Sequence, residues 1–208
     1  RGHGVVARAV AAAPVGAKFL FLRGAAVPPL PRQGGITGRA DLGSVIRCEN
    51  YGAVKVEDGG YAGGITGRSA YLVRNCYVLC DVSGEDHVGG ISGLGMDTLE
   101  NTAMTGIISQ TQEMAGNILG EADEDARISG NRFVSNGIAA VSGLTYADQA
   151  QMITYQELME SEGTPDAFES FTVRFLADGK TVKTIQMAYG EKVQESDIPP
   201  VPALDGKN

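Results

Sequence analysis

Between residues 34 and 143 the chain alternates short apolar stretches with Gly, Asn, Asp and Ser, and no helical apolar spacing runs through it. Period-two patches bounded by turn residues predict brief strands rather than helices. The strands follow a longer rhythm. Gly-Gly-Ile-Thr-Gly stands at 34–38 and again at 63–67, and Gly-Gly-Ile-Ser-Gly at 89–93. Gly116-Asn117-Ile118-Leu119-Gly120 and Ala139-Ala140-Val141-Ser142-Gly143 keep an aliphatic centre and a closing glycine, which sets the central aliphatics at Ile36, Ile65, Ile91, Ile118 and Val141. Recurrence every 23 to 29 residues marks a stacked array whose units bury their apolar faces only against one another.

Each unit can be written in one register. An aliphatic follows the glycine phrase at Ile46, Val73, Leu99 and Ile128, and two or three residues later stand Cys48, Asn75, Asn101 and Asn131. Seven residues after each Asn comes Val82, Ile108 or Ile138, with Val54 and Val56 straddling that place in the first unit. The pattern predicts three brief strands per unit and a mainly β fold, a short right-handed parallel β-helix-like solenoid of about four to five coils. Coils about 4.8 Å apart stack equivalent side chains into ladders, so the branched aliphatics form one dry column. Gly35, Gly38, Gly64, Gly67, Gly90 and Gly93 open the corners, by tolerating positive φ or by admitting the next coil closely. Two readings of Asn75, Asn101 and Asn131 stay open: a stacked amide ladder, or separate left-handed turns.

The flanks read differently. Residues 1–33 are expected to form a degenerate N-terminal coil or cap, with 17–22 as a strand, because a bare solenoid end offers unpaired edges. Residues 144–169 read as a connector, in which Thr154 and Glu157 form a capping box ahead of a short helix over 155–162. Over 170–208, Phe171, Val173 and Phe175 alternate with other positions, Asp178-Gly179 supplies a hairpin turn, and 181–187 returns as a second strand. This predicts a different, antiparallel unit.

Composition narrows the function classes. Glycine accounts for 29 of 208 residues but recurs with a long period, which excludes collagen and a disordered linker. A net charge of −8 without a basic cluster excludes a nucleic-acid or anionic-membrane surface. No 18-residue apolar run is present, and the chain reads as an internal or processed piece of a longer one. Cys48, Cys76 and Cys80 lack Cys-x-x-Cys spacing, so buried thiols are favoured over a disulfide. His3 and His87 lie far apart, and His-Glu-x-x-His, Gly-x-Ser-x-Gly and P-loop patterns are missing, so no catalytic residue, cofactor or metal is assigned and no enzyme activity is expected. His87 reads as an exposed corner residue. The acidic runs Glu121, Asp123, Glu124, Asp125 and Asp81, Glu85, Asp86 lack EF-hand spacing and read as solvated loops rather than calcium sites. Tyr51, Tyr61, Tyr71 and Tyr77 are candidates for an outer face that stacks on sugars, with an inward-facing Tyr77 as an equal alternative.

The segments Tyr61-Ala-Gly-Gly-Ile-Thr-Gly67, Asn75-Cys-Tyr-Val-Leu-Cys-Asp-Val-Ser-Gly84 and His87-Val-Gly-Gly-Ile-Ser-Gly93 resemble GLUG-motif repeats, over about half of the chain. That resemblance implies a β-helix-like repeat in large secreted or wall-attached bacterial proteins, including non-catalytic regions of IgA-specific metallopeptidases. Phe171 to Gly179, with Ala188-Tyr-Gly-Glu-Lys-Val193 and Pro199-Pro-Val-Pro202, is similar to the InlB B-repeat, and that resemblance implies a small β-grasp-like antiparallel module over 170–208, of a kind strung along surface proteins. Its Gly-aromatic and Trp ending is missing before Asn208, so the module is expected to be truncated. Together these resemblances imply a non-enzymatic structural or adhesive segment of an exported bacterial surface protein, extracellular or wall-attached. Its partners would be flanking domains and a host or glycan ligand. The alternative is a glycan-binding module, or a non-catalytic support region of a polysaccharide-degrading enzyme or metallopeptidase.

Overall fold

The computed structural model describes residues 10–11, 32–57, 60–109, 114–134, 136–142, 144, 148–177, 180–188 and 191–200. The chain divides into two units, residues 1–158 and 159–208. The first is a parallel β-solenoid of about four turns. Coil one contains β2 (Arg32–Gly34), β3 (Thr37–Ala40), β4 (Val45–Ile46), β5 (Glu49–Asn50) and β6 (Val54–Lys55), preceded by β1 (Val10–Ala11). Coil two contains β7 (Tyr61–Gly63), β8 (Thr66–Ser69), β9 (Val73–Arg74) and β10 (Tyr77–Gly84). Coil three runs through β11 (Val88–Gly89), β12 (Ser92–Gly95), β13 (Thr98–Leu99) and β14 (Thr102–Ser109). Coil four runs through β15 (Ala115–Gly116), β16 (Leu119–Ala122), β17 (Ile128–Ser129) and β18 (Asn131–Val134), and β19 (Ala150–Ile153) follows it.

Each coil therefore folds at four places, not the expected three. The strands stack into sheets β2-β7-β11-β15, β3-β8-β12-β16, β4-β9-β13-β17 and the longer β1-β5-β10-β14-β18-β19, with β6 also on β10. All these pairings are parallel. Of the expected first segment, β1 pairs with β5 and Arg32 already belongs to coil one, while 17–22 lie outside the described residues. The expected connector 144–169 supplies β19, which pairs with β18 over all four of its residues.

The glycine phrases superpose as the sequence suggests. Gly34, Gly63, Gly89 and Gly116 lie in one ladder, and Ile36, Ile65, Ile91 and Ile118 follow in the next position but one. The N–H of Ile65 donates to Ile91 O and that of Ile91 to Ile118 O, both at 2.9 Å, with Ile65, Ile91 and Ile118 fully buried. None of these phrase glycines has positive φ. Their role is close approach: a Cβ on Gly67, Gly93 or Gly120 would meet the carbonyl oxygen of the equivalent glycine one coil back at 2.7 Å. Gly35, Gly64 and Gly90 are equally tight, each facing backbone or side-chain atoms of the next coil. At the last coil the column continues through Ala140 rather than Val141, because Ile118 N–H donates to Ala140 O at 2.9 Å and Val141 bridges Leu119.

Beyond the glycine phrase the expected register slips. Val45 pairs with Val73, Val73 with Thr98 and Thr98 with Ile128, so Val45 and Thr98 take the inner places assigned to Ile46 and Leu99. Ile46 and Leu99 are only half-buried. A strand shifted by one residue turns every side chain to the other face, and the connections at 41–44, 70–72, 96–97 and 123–127 differ in length, so counting forward from the glycines drifts. The next column is likewise Cys48, Cys76, Asn101 and Asn131, with Asn75 outside it. Val82 pairs with Ile107, and Ile108 with Ser83. Ile138 lies in no strand, and its carbonyl accepts from Asn117 Nδ2 at 2.7 Å.

Both readings of the asparagines apply, to different residues. Asn101 and Asn131 form a buried amide ladder. Asn101 Nδ2 donates to Asn131 Oδ1 at 3.0 Å, the Asn101 N–H donates to the same oxygen at 3.0 Å, and Cys76 N–H donates to Asn101 Oδ1 at 2.9 Å. Asn75 instead has φ of 53°, and equivalent corner positions hold Arg47 at 55°, Glu100 at 56° and Gly130 at 64°. That corner makes a left-handed step in every coil, whatever residue fills it.

The main core joins the Ile column to Val73, Val78, Cys76, Ala103, Leu119 and Phe133, and a second cluster gathers Val54, Val56, Ala62, Val82 and Val88. The helix α1 (Tyr155–Met159) is shorter than the expected 155–162 and has Leu158 as its buried residue. Thr154 N–H donates to Glu157 Oε2 at 2.7 Å and Glu157 N–H to Thr154 Oγ1 at 3.2 Å, completing the capping box.

The second unit contains a small antiparallel sheet of β20 (Ser170–Ala177) and β21 (Lys180–Ala188), with a register shift between Phe175 and Leu176. Asp178-Gly179 lie outside the described residues. Short 3-10 turns occupy Asp166–Glu169 and Glu195–Asp197, and Lys183 Nζ donates to Asp197 O at 2.6 Å.

Candidate functional site

The sequence-nominated polar residues occupy the outside of the solenoid, and the ladder geometry decides which of them meet. Arg32 pairs with Tyr61 across β2 and β7, and His87 holds the same place in coil three, two residues before the glycine pair. The Tyr61 and His87 rings have centroids 4.5 Å apart, tilted by 59°, and the Arg32 guanidinium sits 5.6 Å from the Tyr61 centroid. His87 Nδ1 lies 2.9 Å from Asp86 Oδ1 and Nε2 lies 2.9 Å from Glu121 Oε2. A run of side-chain contacts thus links all four coils, with Arg32, Tyr61 and His87 from one ladder and Glu121 from β16 of the neighbouring sheet.

His87 is not the exposed corner expected of it. Its side chain is 14% exposed, its φ is 47°, and both ring nitrogens are engaged by carboxylates. The signal for this column was legible, since Arg32, Tyr61 and His87 each stand two residues before a repeated Gly-Gly.

The acidic runs disperse. Glu121 turns to His87, Asp123 anchors a turn through Ala126 N–H donating to its carbonyl, and Glu124 and Asp125 face solvent. Among the described residues no group of three or more His, Cys, Asp or Glu is placed to hold a metal ion. Other acids tie coils together: Glu100 accepts from Arg74 at 2.8 and 2.9 Å, and Asp97 accepts from Arg127 Nε at 3.1 Å. The Arg127 guanidinium holds the Asp97 carboxyl below the usual carboxylate range, while Asp97 raises Arg127.

The four tyrosines do not share a face. Tyr61 belongs to the histidine column, and Tyr71 is an exposed residue in the bend after β8. Tyr77 lies on the outer side of the long sheet, since its neighbours Cys76 and Val78 are buried, and Tyr51 follows the β5 strand of that sheet. Tyr51 donates its hydroxyl to Glu49 at 2.7 Å. Beside them a groove of about 310 Å³ is lined by Leu79, Asp81, Met104, Gly106, Val134 and Asn136. Its amide is already committed: Asn136 Nδ2 donates to Thr105 O at 2.7 Å and its Oδ1 accepts from Asn117 Nδ2 at 2.9 Å. The groove, which Cys80 and Thr105 also line, therefore presents one exposed carboxylate, Asp81, among largely apolar walls.

Arg32 Nε and Thr98 Oγ1 are buried without a hydrogen-bond partner. Burial, with Arg39 and Arg68 nearby, lowers the Arg32 pKa from its ordinary value. No family model, curated protein or solved structure matches the chain.

Proposed function

We propose that the chain is a non-enzymatic structural and adhesive segment of an exported bacterial cell-surface protein, a rigid repeat spacer that displays neighbouring modules. The observation that carries this reading is the way polar groups are spent. Asn101, Asn131, Asn117 and the ionic pairs Arg74–Glu100 and Arg127–Asp97 all bond one coil to another. Such a stack resists bending because its coils are bonded to one another through four parallel sheets. The repeated Gly-Gly-Ile phrases and the GLUG-like segments supply the bacterial and exported part of the reading.

Surface labelling tests it. An antibody against residues 1–158, applied to intact cells of the source bacterium, should stain the surface, and added protease should remove the epitope. Signal found only after lysis overturns export. Hydrolysis or elimination of a defined polysaccharide by the purified chain overturns the non-enzymatic reading.

A glycan-binding module is the second reading, favoured by Tyr77 on the outer side of β10, the strand that also supplies Leu79 and Asp81 to the groove, and by Tyr51 just after β5. Aromatic faces stack on pyranose rings. A glycan array should then give a hit that Tyr77→Ala abolishes, whereas a blank array leaves the spacer.

A further inference from the structure

Two thiols are stacked in register inside the core. Tyr77 pairs with Glu49 in the parallel ladder, which sets Cys76 directly over Cys48 in the preceding coil, and Tyr77 N–H donates to Cys48 O at 2.9 Å. Adjacent strands run about 4.8 Å apart, inside the roughly 4.4 to 6.8 Å span between α-carbons that a disulfide tolerates. Both residues are fully buried, and the Cys76 thiol bonds to that of Cys48 as well as approaching Arg74 O at 3.3 Å. Cys80 differs. The register places it opposite Gly52 in coil one and Thr105 in coil three, so neither neighbouring strand offers it a sulfur.

We propose that Cys48 and Cys76 are a paired cross-linking site, which an organic disulfide oxidises to an intramolecular disulfide tying coil one to coil two. One cysteine thiolate attacks a sulfur of the donor, forming a mixed disulfide and releasing one thiolate. The second cysteine thiolate then attacks the protein sulfur of that mixed disulfide and releases the other. The two cysteine protons end on the released thiolates, so two cysteines and one donor disulfide yield one protein disulfide and two donor thiols. The pair is formed during assembly of the coils. Once folded, the mutual thiol contact and burial push the Cys76 thiol up, and burial pushes Cys80 up to about 12, which suppresses the thiolate that exchange needs. The same burial shields the finished bond from reductants. This site goes beyond the spacer reading and does not depend on it.

The test is refolding of the full chain from denaturant in oxidised and reduced glutathione, followed by acid quenching, alkylation in denaturant and mass spectrometry. The wild-type chain should retain one alkylatable thiol, and Cys80→Ser should retain none, with a mass lower by about 2 Da than its reduced form. Cleavage after Tyr77 separates Cys76 from Cys80, so wild-type peptide mapping should show Cys48 joined to Cys76 even if Cys80→Ser folds poorly. Two outcomes overturn the site: all three wild-type thiols remaining alkylatable after refolding, or a link that runs through Cys80.

Discussion

Asn101 and Asn75 show how one residue type does two jobs a single corner apart. Asn101 is fully buried, receives Cys76 N–H and donates to Asn131 Oδ1 and to Val73 O at 3.0 Å. Asn101→Ala strands these groups without water, and at about 1 to 3 kcal/mol for each buried orphan the variant should lose about 3 kcal/mol in urea unfolding. A loss below about 1 kcal/mol removes the ladder as a source of stability. Asn75 should respond in the opposite sense to glycine, because its φ of 53° strains any side chain. Asn75→Gly should be neutral or stabilising, and Asn75→Ala should cost about 1 kcal/mol. The sequence offered both readings of these residues and could not allot them, because the choice turns on one position of register. The same slip misplaced Ile46, Leu99 and Ile108, whereas Ile65, Ile91 and Ile118 were legible because glycines flank them.

At the level of the element, the phrase glycines act through backbone contact rather than through conformational freedom. A Cβ on Gly93 would lie 2.6 Å from His87 O and 2.7 Å from Gly67 O, and neither oxygen can move without breaking the ladder. Gly93→Ala should therefore cost about 3 kcal/mol or more. At Gly137, with φ of 89° and nothing within 4 Å of an added Cβ, alanine meets only its backbone preference, and Gly137→Ala should cost about 1 kcal/mol. Equal losses at the two positions would show that close stacking is not what the glycines provide. The capping box of α1 makes a second element-scale prediction. Thr154 N–H and Oγ1 bond the Glu157 carboxylate and hold its pKa below the ordinary glutamate value. A depressed carboxyl stabilises the fold above its unfolded pKa and loses that contribution as pH falls through its folded value. In an NMR titration Glu157 should therefore titrate at higher pH in Thr154→Ala than in the native chain. An unchanged titration would show that the Thr154 hydroxyl does not act on Glu157, because the backbone N–H bond persists in the variant.

Across the molecule, stability should follow how many neighbours an element has. β10 is bonded by β5 and β6 on one side and by β14 along eight residue pairs on the other, and its Val78 and Val82 are fully buried. The second unit offers much less: among its described residues only Phe168 and Met187 are buried hydrophobics, while Leu176 and Val182 are 63% and 45% exposed. A two-stranded hairpin with so little buried surface is marginal in water. A solenoid instead behaves as a chain of nearest-neighbour interfaces, so opening a middle coil breaks two interfaces and opening a terminal one breaks one. Native-state hydrogen exchange should reflect this order, slowest at 77–82, faster at β19, and fastest at 170–188, where amides should exchange at least about 100-fold faster than those of β10. Uniform protection from residue 77 to residue 188 would mean that the two units open together, and the division at Leu158 would then have no energetic counterpart.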